Sequence, residues 1–221
     1  QRNNVHATIV MPETAPIAKL RGTRQYGADV VLHGNGYDDA FGRATELQKE
    51  KGYTFIHAFD DPRVIAGQGT VGLELMEYNP YLEVFVVPIG GGGLAAGMAV
   101  ALKEVNPSLR IVGVQAENIA SMKASLDAGK ITSVSSSTIA DGIAVGRPGE
   151  YTFPIVAKYI DEIVTVTEDE IAQAVLVLLE SEKTVTEGSG AAGVAALLSG
   201  KVSGIAGKSV CVILTGGNID T

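Results

Sequence analysis

The sequence holds 221 residues with 17 basic and 25 acidic side chains, a net charge of -8 and no tryptophan. That length accommodates one large α/β domain or one and a half smaller ones. The negative balance argues against nucleic acid or an anionic membrane surface as a partner, because either would repel the chain. A single cysteine, Cys211, permits no disulfide within the chain and fits a reducing, cytoplasmic setting.

Strand and helix signals alternate from end to end, which predicts an α/β fold with a parallel sheet and helices on both faces. The opening, Gln1-Arg2-Asn3-Asn4, lacks a starting Met and the apolar core of a signal peptide, and it runs straight into a strand over 6–10. Then come a helix over 15–26, a strand over 29–33, a helix over 37–51 and a short third strand over 54–56. The chain end stops just past a glycine turn, so the sequence reads as truncated at both ends.

Asp60-Asp61-Pro62 interrupts the alternation and opens a helix over 63–76 that contains Gly67, Gly69 and Gly72. Glycines weaken a helix and permit close approach of another group. A domain boundary is expected near 57–62, with 1–57 the remainder of a small domain and 58–221 a large one. The apolar run 83–87 reads as a buried parallel strand. It meets Pro88-Ile89-Gly90-Gly91-Gly92-Gly93-Leu94, and a helix follows with Leu94, Met98, Leu102 and Val105 on one face, stopping at Asn106-Pro107. Pro88 and the glycines divide 84–102 into strand and helix, which rejects a membrane span there. The pattern continues with strands over 110–115, 163–166 and 209–214. Helices fall over 121–128, 151–159 and 190–198, with an irregular loop over 133–147. Thr167-Glu168-Asp169-Glu170 is a capping box that starts one more helix, running to residue 180.

The four consecutive glycines carry the chemistry. A strand, a glycine run and a helix start form an anion cradle: the backbone folds tightly, several N–H groups converge, and the helix dipole adds positive potential. A plain turn needs one or two glycines. Gly91 to Ala96 also fits a dinucleotide pattern, with Glu117 after the next strand as a ribose contact, so a nicotinamide-dependent oxidoreductase is a rival reading. A second glycine turn, Thr215-Gly216-Gly217-Asn218, ends the last strand and either faces the same crevice or is a simple turn capped by Thr215. His6, His33 and His57 each fall at a strand or its edge, where a structural role is expected, and no Cys/His spacing suggests a metal.

Five motifs occur in order: residues 60–70, 88–94, Thr138-Ile139-Ala140-Asp141-Gly142, Thr186-Glu187-Gly188-Ser189-Gly190-Ala191 and 215–218. Together they resemble the threonine dehydratase and serine racemase group of fold type II pyridoxal-phosphate enzymes, with a tryptophan-synthase-β-like fold. The short, catabolic type of threonine dehydratase is the nearest in pattern. The resemblance implies pyridoxal 5′-phosphate as cofactor, an amino-acid substrate, a homo-oligomer, and deamination of L-threonine or L-serine to a 2-oxo acid and ammonia. A racemase or a non-catalytic ligand-binding fragment stays open beside it. Gly90, Gly91, Gly92, Gly93 and Leu94 would hold the phosphate, Thr215 would meet the pyridine nitrogen, and Gly142 and Glu187 would line the site. The family's Schiff-base lysine lies upstream of these motifs, so no catalytic lysine is assigned; Lys19-Leu20-Arg21-Gly22 only echoes its surroundings. The family's cation site maps to Glu117 and the Ser121 carbonyl, but Lys123 stands where a carboxylate is expected, which disfavours a divalent ion.

Overall fold

The computed structural model describes residues 5–219, and the opening 1–4 and closing 220–221 discussed above lie outside them. The chain divides into two compact units, Gln1–Ile56 with Asn218–Thr221, and His57–Gly217.

In the first unit β1 (Thr8–Met11) and β2 (Asp29–Leu32) pair in parallel, Thr8 opposite Asp29. Helix α1 (Ile17–Gln25) connects them, and α2 (Tyr37–Lys51) follows. Gly36 and the left-handed Gly52 (φ 66°) flank α2, with Asp38 and Asp39 in its first turn and Lys49 and Lys51 in its last. Those charges complement the helix dipole at both ends. The expected third strand over 54–56 does not form. Phe55 instead sets its ring edge-on to Phe41 of α2, with centroids 5.7 Å apart. Packing on a helix thus takes the place of pairing on a sheet. Ile9, Ile17, Leu32 and Phe41 remain exposed.

The second unit carries a four-stranded parallel sheet. Its strands are β3 (Val84–Pro88), β4 (Arg110–Ala116), β5 (Glu162–Val166) and β6 (Val210–Val212), in the spatial order β5-β4-β3-β6. Registers place Val84 opposite both Arg110 and Val210, and Val112 opposite Glu162. The helices are α3 (Pro62–Tyr78), α4 (Gly93–Val105), α5 (Ser121–Ala128), α6 (Thr152–Tyr159), α7 (Glu168–Ser181) and α8 (Gly188–Leu198).

Strand alternation sorts the core into two layers. Val84, Val86, Val112 and Val114 meet Ile171, Ala174 and Leu178 of α7 and the alanines of α8. Phe85, Val87 and Ile111 face the other way, onto Ile65 and Met76 of α3, Met98 and Leu102 of α4, Met122 of α5 and Val156 of α6. Each such side chain contributes about 1.5–3 kcal/mol when fully buried. The expected stripe on α4 is narrower than its spacing suggests: Met98 and Leu102 are fully buried, Leu94 is partly buried, and Val105 is 56% exposed. Two of the three glycines of α3, Gly69 and Gly72, are explained by α4, whereas a Cβ on Gly67 would meet nothing within 4 Å. A Cβ on Gly69 would stand 3.0 Å from the Gly97 carbonyl oxygen, so the two backbones meet where side chains would hold them apart.

The predicted capping box is present: Thr167 Oγ1 accepts from the Glu170 N–H, and the Glu170 carboxylate accepts from the Thr167 N–H. Lys201 pairs with the same carboxylate at 2.7 Å, and together these bonds outweigh burial and hold the Glu170 carboxyl below its usual range. Cys211 is partly buried in edge strand β6, and burial pushes its thiol up. No helix among the described residues is long and apolar enough to cross a membrane.

Candidate active site

Strand β3 delivers the chain to the glycine loop. The Ile89 N–H donates to the Val114 carbonyl at 2.8 Å, one step past the strand. The buried Gln115 amide donates to the Ile89 carbonyl at 3.2 Å, while its oxygen accepts the Lys123 N–H at 2.9 Å. The loop then turns through Gly92, whose φ of +100° is open to glycine alone, and α4 begins at Gly93. The first N–H groups of α4, from Gly93 and Leu94 onward, have no intrahelical partner and point out of the helix end.

Protein side chains crowd the other side of this loop. A Cβ on Gly92 would come 2.8 Å from Met122 Cε and 2.9 Å from Thr152 Cβ, and one on Gly93 would come 2.8 Å from Phe59 Cβ. Gly91 lies under the Phe59 ring. Its carbonyl accepts the Thr152 hydroxyl at 2.6 Å and the Gly149 N–H at 3.4 Å. The glycines are therefore demanded by neighbouring protein on one side, which leaves the N–H side for an anion.

Four of the sequence motifs meet around one point. A Cβ on Gly90 would lie 3.0 Å from Ile143 Cα and 3.4 Å from the Gly142 carbonyl oxygen. One on Gly142 would lie 2.8 Å from Ser189 Oγ and 3.3 Å from Glu187 Oε1, and one on Gly216 would lie 2.7 Å from Glu187 Oε1. The Glu187 N–H donates to the Gly216 carbonyl at 2.9 Å, which fixes the start of α8 beside the turn that carries Thr215. Gly90, Gly142, Glu187 and Gly216 are thus neighbours, and Thr215 is exposed next to them. Several lysines of this unit are engaged elsewhere: Lys103 pairs with Asp161, Lys123 with Asp127 and Lys201 with Glu170, and Lys183 donates to the Glu180 carbonyl. Lys19 lies in α1 of the first unit.

Two further residues of this cluster belong to the 186–191 motif, but the sequence assigns them no role of their own. Thr186 Oγ1 and Ser189 Oγ are buried without a hydrogen-bond partner. A buried unpaired hydroxyl costs about 1–3 kcal/mol, so both are places where the polar atoms of a ligand could complete the bonding.

The cation positions are arranged differently. Glu117 is exposed at the short turn Glu117–Ile119 after β4. The Ser121 carbonyl accepts the Ser125 hydroxyl at 2.7 Å, and the Lys123 ammonium turns to Asp127 at 3.3 Å. Among the described residues no group of three or more His, Cys, Asp or Glu is placed to hold a metal ion.

A family model described as pyridoxal-phosphate dependent enzyme matches residues 1–216. The chain belongs to this family. Membership makes pyridoxal phosphate, and not a dinucleotide, the cofactor of the family. Among curated family members, the L-threonine ammonia-lyase of Thermotoga maritima is 53% identical over 217 residues, which are 98% of this chain and 54% of the relative. The catabolic L-threonine dehydratase of Escherichia coli is 47% identical over 98% of this chain and 66% of its own length. The chain spans about half the length of the first curated relatives it matches. Among solved structures of the family, maize serine racemase superposes with a TM-score of 0.92 at 35% identity, covering 99% of this chain and 68% of that one. The processed form of threonine deaminase isoform 2 from Solanum lycopersicum gives 0.89 at 38% identity, covering all of this chain and 65% of the other.

The donors fit the family's cofactor: a helix N-terminus behind a glycine loop for its phosphate, and buried unpaired hydroxyls beside the loops that would face its ring.

Proposed function

We propose that this chain forms the phosphate-binding part of an ammonia-lyase that eliminates water from L-threonine or L-serine, releasing a 2-oxo acid and ammonia. The observation that carries this reading is the convergence of Gly90, Gly142, Glu187 and Gly216 on one point, beside a helix start open to an anion.

When bound, the cofactor supplies an electron sink for the bond broken at the substrate's α-carbon. Gly90, Gly91, Gly92, Gly93 and Leu94 hold its phosphate through backbone N–H groups and the α4 dipole. Thr215 offers a neutral hydroxyl to the pyridine nitrogen. A hydroxyl, unlike a carboxylate, does not keep that nitrogen protonated, which favours loss of a leaving group over long-lived charge in the ring. Glu187, held between the Gly142 and Gly216 loops, is the acid–base group able to hand a proton to the departing hydroxyl.

A racemase is the second reading, favoured by the close superposition on maize serine racemase. It shares every binding residue and differs in the fate of the α-proton. The division into a small domain over 1–57 and a large cofactor-binding domain over 58–221 belongs to the same proposal. So does self-association, supported by the apolar furrow between α3 and α4 that Ile65, Leu73, Val100 and Ile155 line. The lone partly buried thiol suits a cytoplasmic setting.

The decisive experiment titrates pyridoxal 5′-phosphate into the chain by absorbance and competes it with inorganic phosphate. Saturable binding that Gly90→Val removes is expected, and no binding at any concentration overturns the reading. Release of 2-oxobutanoate from L-threonine, against D-serine formed from L-serine, then separates lyase from racemase.

A further inference from the structure

His57 begins the second unit, and with no strand at 54–56 it does not sit at the strand edge the sequence suggested. Its Nδ1 accepts the backbone N–H of Phe59 at 3.2 Å and of Asp60 at 2.8 Å. Only a ring nitrogen with a free lone pair accepts such bonds, so the imidazole is neutral and carries its proton on Nε2. The two bonds curl 57–60 into a tight turn. That turn brings the Phe59 ring edge-on to the imidazole, with centroids 4.7 Å apart and planes at 85°.

Two arms run from this turn to the glycine loop. Phe59 is the direct one, its ring covering Gly91 and its Cβ abutting Gly93. Asp60 is the indirect one. Its carboxylate accepts the N–H groups of Glu150, Tyr151 and Thr152 at 2.8, 2.9 and 3.1 Å, capping the start of α6 from outside. Thr152 then donates its hydroxyl to the Gly91 carbonyl at 2.6 Å. A helix start with three donors on one carboxylate is firmly placed, so the direction of Gly91 depends on where Asp60 sits.

We propose that His57 is a positioning residue for the phosphate loop: its neutral imidazole holds Phe59 and Asp60 against Gly91–Gly93, and protonation at Nδ1 releases that clamp and weakens anion binding. The anion part rests on the reading of the loop as a phosphate site, whereas the clamp rests on the bonds above.

The charged groups around His57 are Asp60 and Asp61, which favour its protonated form. Burial opposes them and dominates, holding the imidazole below its ordinary range. Arg63 is engaged with Asp61 at 3.0 Å, and Arg147 with Glu150 at 2.6 Å. A histidine with a depressed folded-state pKa contributes stability that is complete above its unfolded value of about 6.5 and is lost as pH falls from there through the folded value.

The test compares wild type with His57→Asn and His57→Phe. An asparagine Oδ1 can take the place of Nδ1 as acceptor without titrating, and phenylalanine accepts nothing. Amide hydrogen exchange over 90–94, corrected for intrinsic rates, is read at about pH 8 and about pH 4.5, the lower value set well under an ordinary histidine because burial depresses this one. Pyridoxal 5′-phosphate affinity is measured at the same two values. The phosphate's own protonation near pH 6 is common to all three proteins, so only the difference between them counts. Wild type should lose loop protection at the lower pH and lose about tenfold more affinity than His57→Asn. His57→Asn should keep its protection at both values, and His57→Phe should lack it at both. Identical pH profiles for wild type and His57→Asn overturn the clamp, and this comparison stands even if His57→Phe does not fold. Should no variant bind the cofactor while exchange still follows the expected pattern, the clamp is supported and the phosphate reading fails instead.

Discussion

The Thr152 hydroxyl donates to the Gly91 carbonyl at 2.6 Å and ties the start of α6 to the turn that opens α4. This bond joins residues far apart in the chain and is buried. Replacing Thr152 by valine keeps the shape and removes the donor, leaving the Gly91 carbonyl with only the long 3.4 Å bond from the Gly149 N–H. Urea unfolding should register a loss of about 1–3 kcal/mol, and pyridoxal 5′-phosphate should bind more weakly. Thr152→Ser retains the bond and gives up one methyl, about 1 kcal/mol, with cofactor affinity preserved.

Gly92 and Gly129 both have positive φ, +100° and +66°, but only Gly92 is enclosed. A Cβ at Gly129 meets nothing within 4 Å, so Gly129→Ala should cost only the backbone strain, about 1–2 kcal/mol. Gly92→Ala adds overlap with Met122 and Thr152, so denaturant curves should place it well below Gly129→Ala. Cofactor binding should be lost in Gly92→Ala alone. Equal stability for the two variants would mean that the packing behind the loop yields easily.

Millimolar Mg²⁺ should leave the melting temperature unchanged. A bound ion would raise it by mass action, but the Ser121 carbonyl already receives the Ser125 hydroxyl, and Lys123 brings a positive charge to the neighbourhood. An increase that Glu117→Gln abolishes would establish a cation site despite that lysine.

Reduction with borohydride in the presence of pyridoxal 5′-phosphate, followed by peptide mapping, should label none of Lys103, Lys123 and Lys201 stoichiometrically. All three are held in ion pairs with carboxylates, which turn their side-chain nitrogens away from an incoming aldehyde. One fully labelled residue among them, with turnover of L-threonine, would reverse this assignment.

Much of the fold is written in local pattern. Helix α2 is bounded by glycines at 36 and 52, α7 by its capping box, and β3 by an unbroken apolar run, so each is visible over a few neighbouring residues. The segment 54–56 misleads for the same reason. It has a strand's composition, but Phe55 packs on α2, and composition does not say which partner an apolar residue finds. The glycine loop was legible as a place needing space, yet a glycine does not name what fills that space. At 91–93 the neighbours are Phe59, Met122 and Thr152, each brought in from a distant segment. Pairings of that kind leave no period in the sequence, which is why Asp60 on the α6 start and the unpaired hydroxyls of Thr186 and Ser189 became visible only in three dimensions.

The strand order β5-β4-β3-β6 has a consequence for the newborn chain. Strand β3 ends at Pro88, but its outer neighbour β6 begins only at Val210. At ribosomal rates of about 5–20 residues per second, one edge of β3 waits on the order of ten seconds for its partner. Throughout that interval the glycine loop hangs from a strand paired on one side alone. An edge left open that long is free to pair with another chain until Val210 arrives.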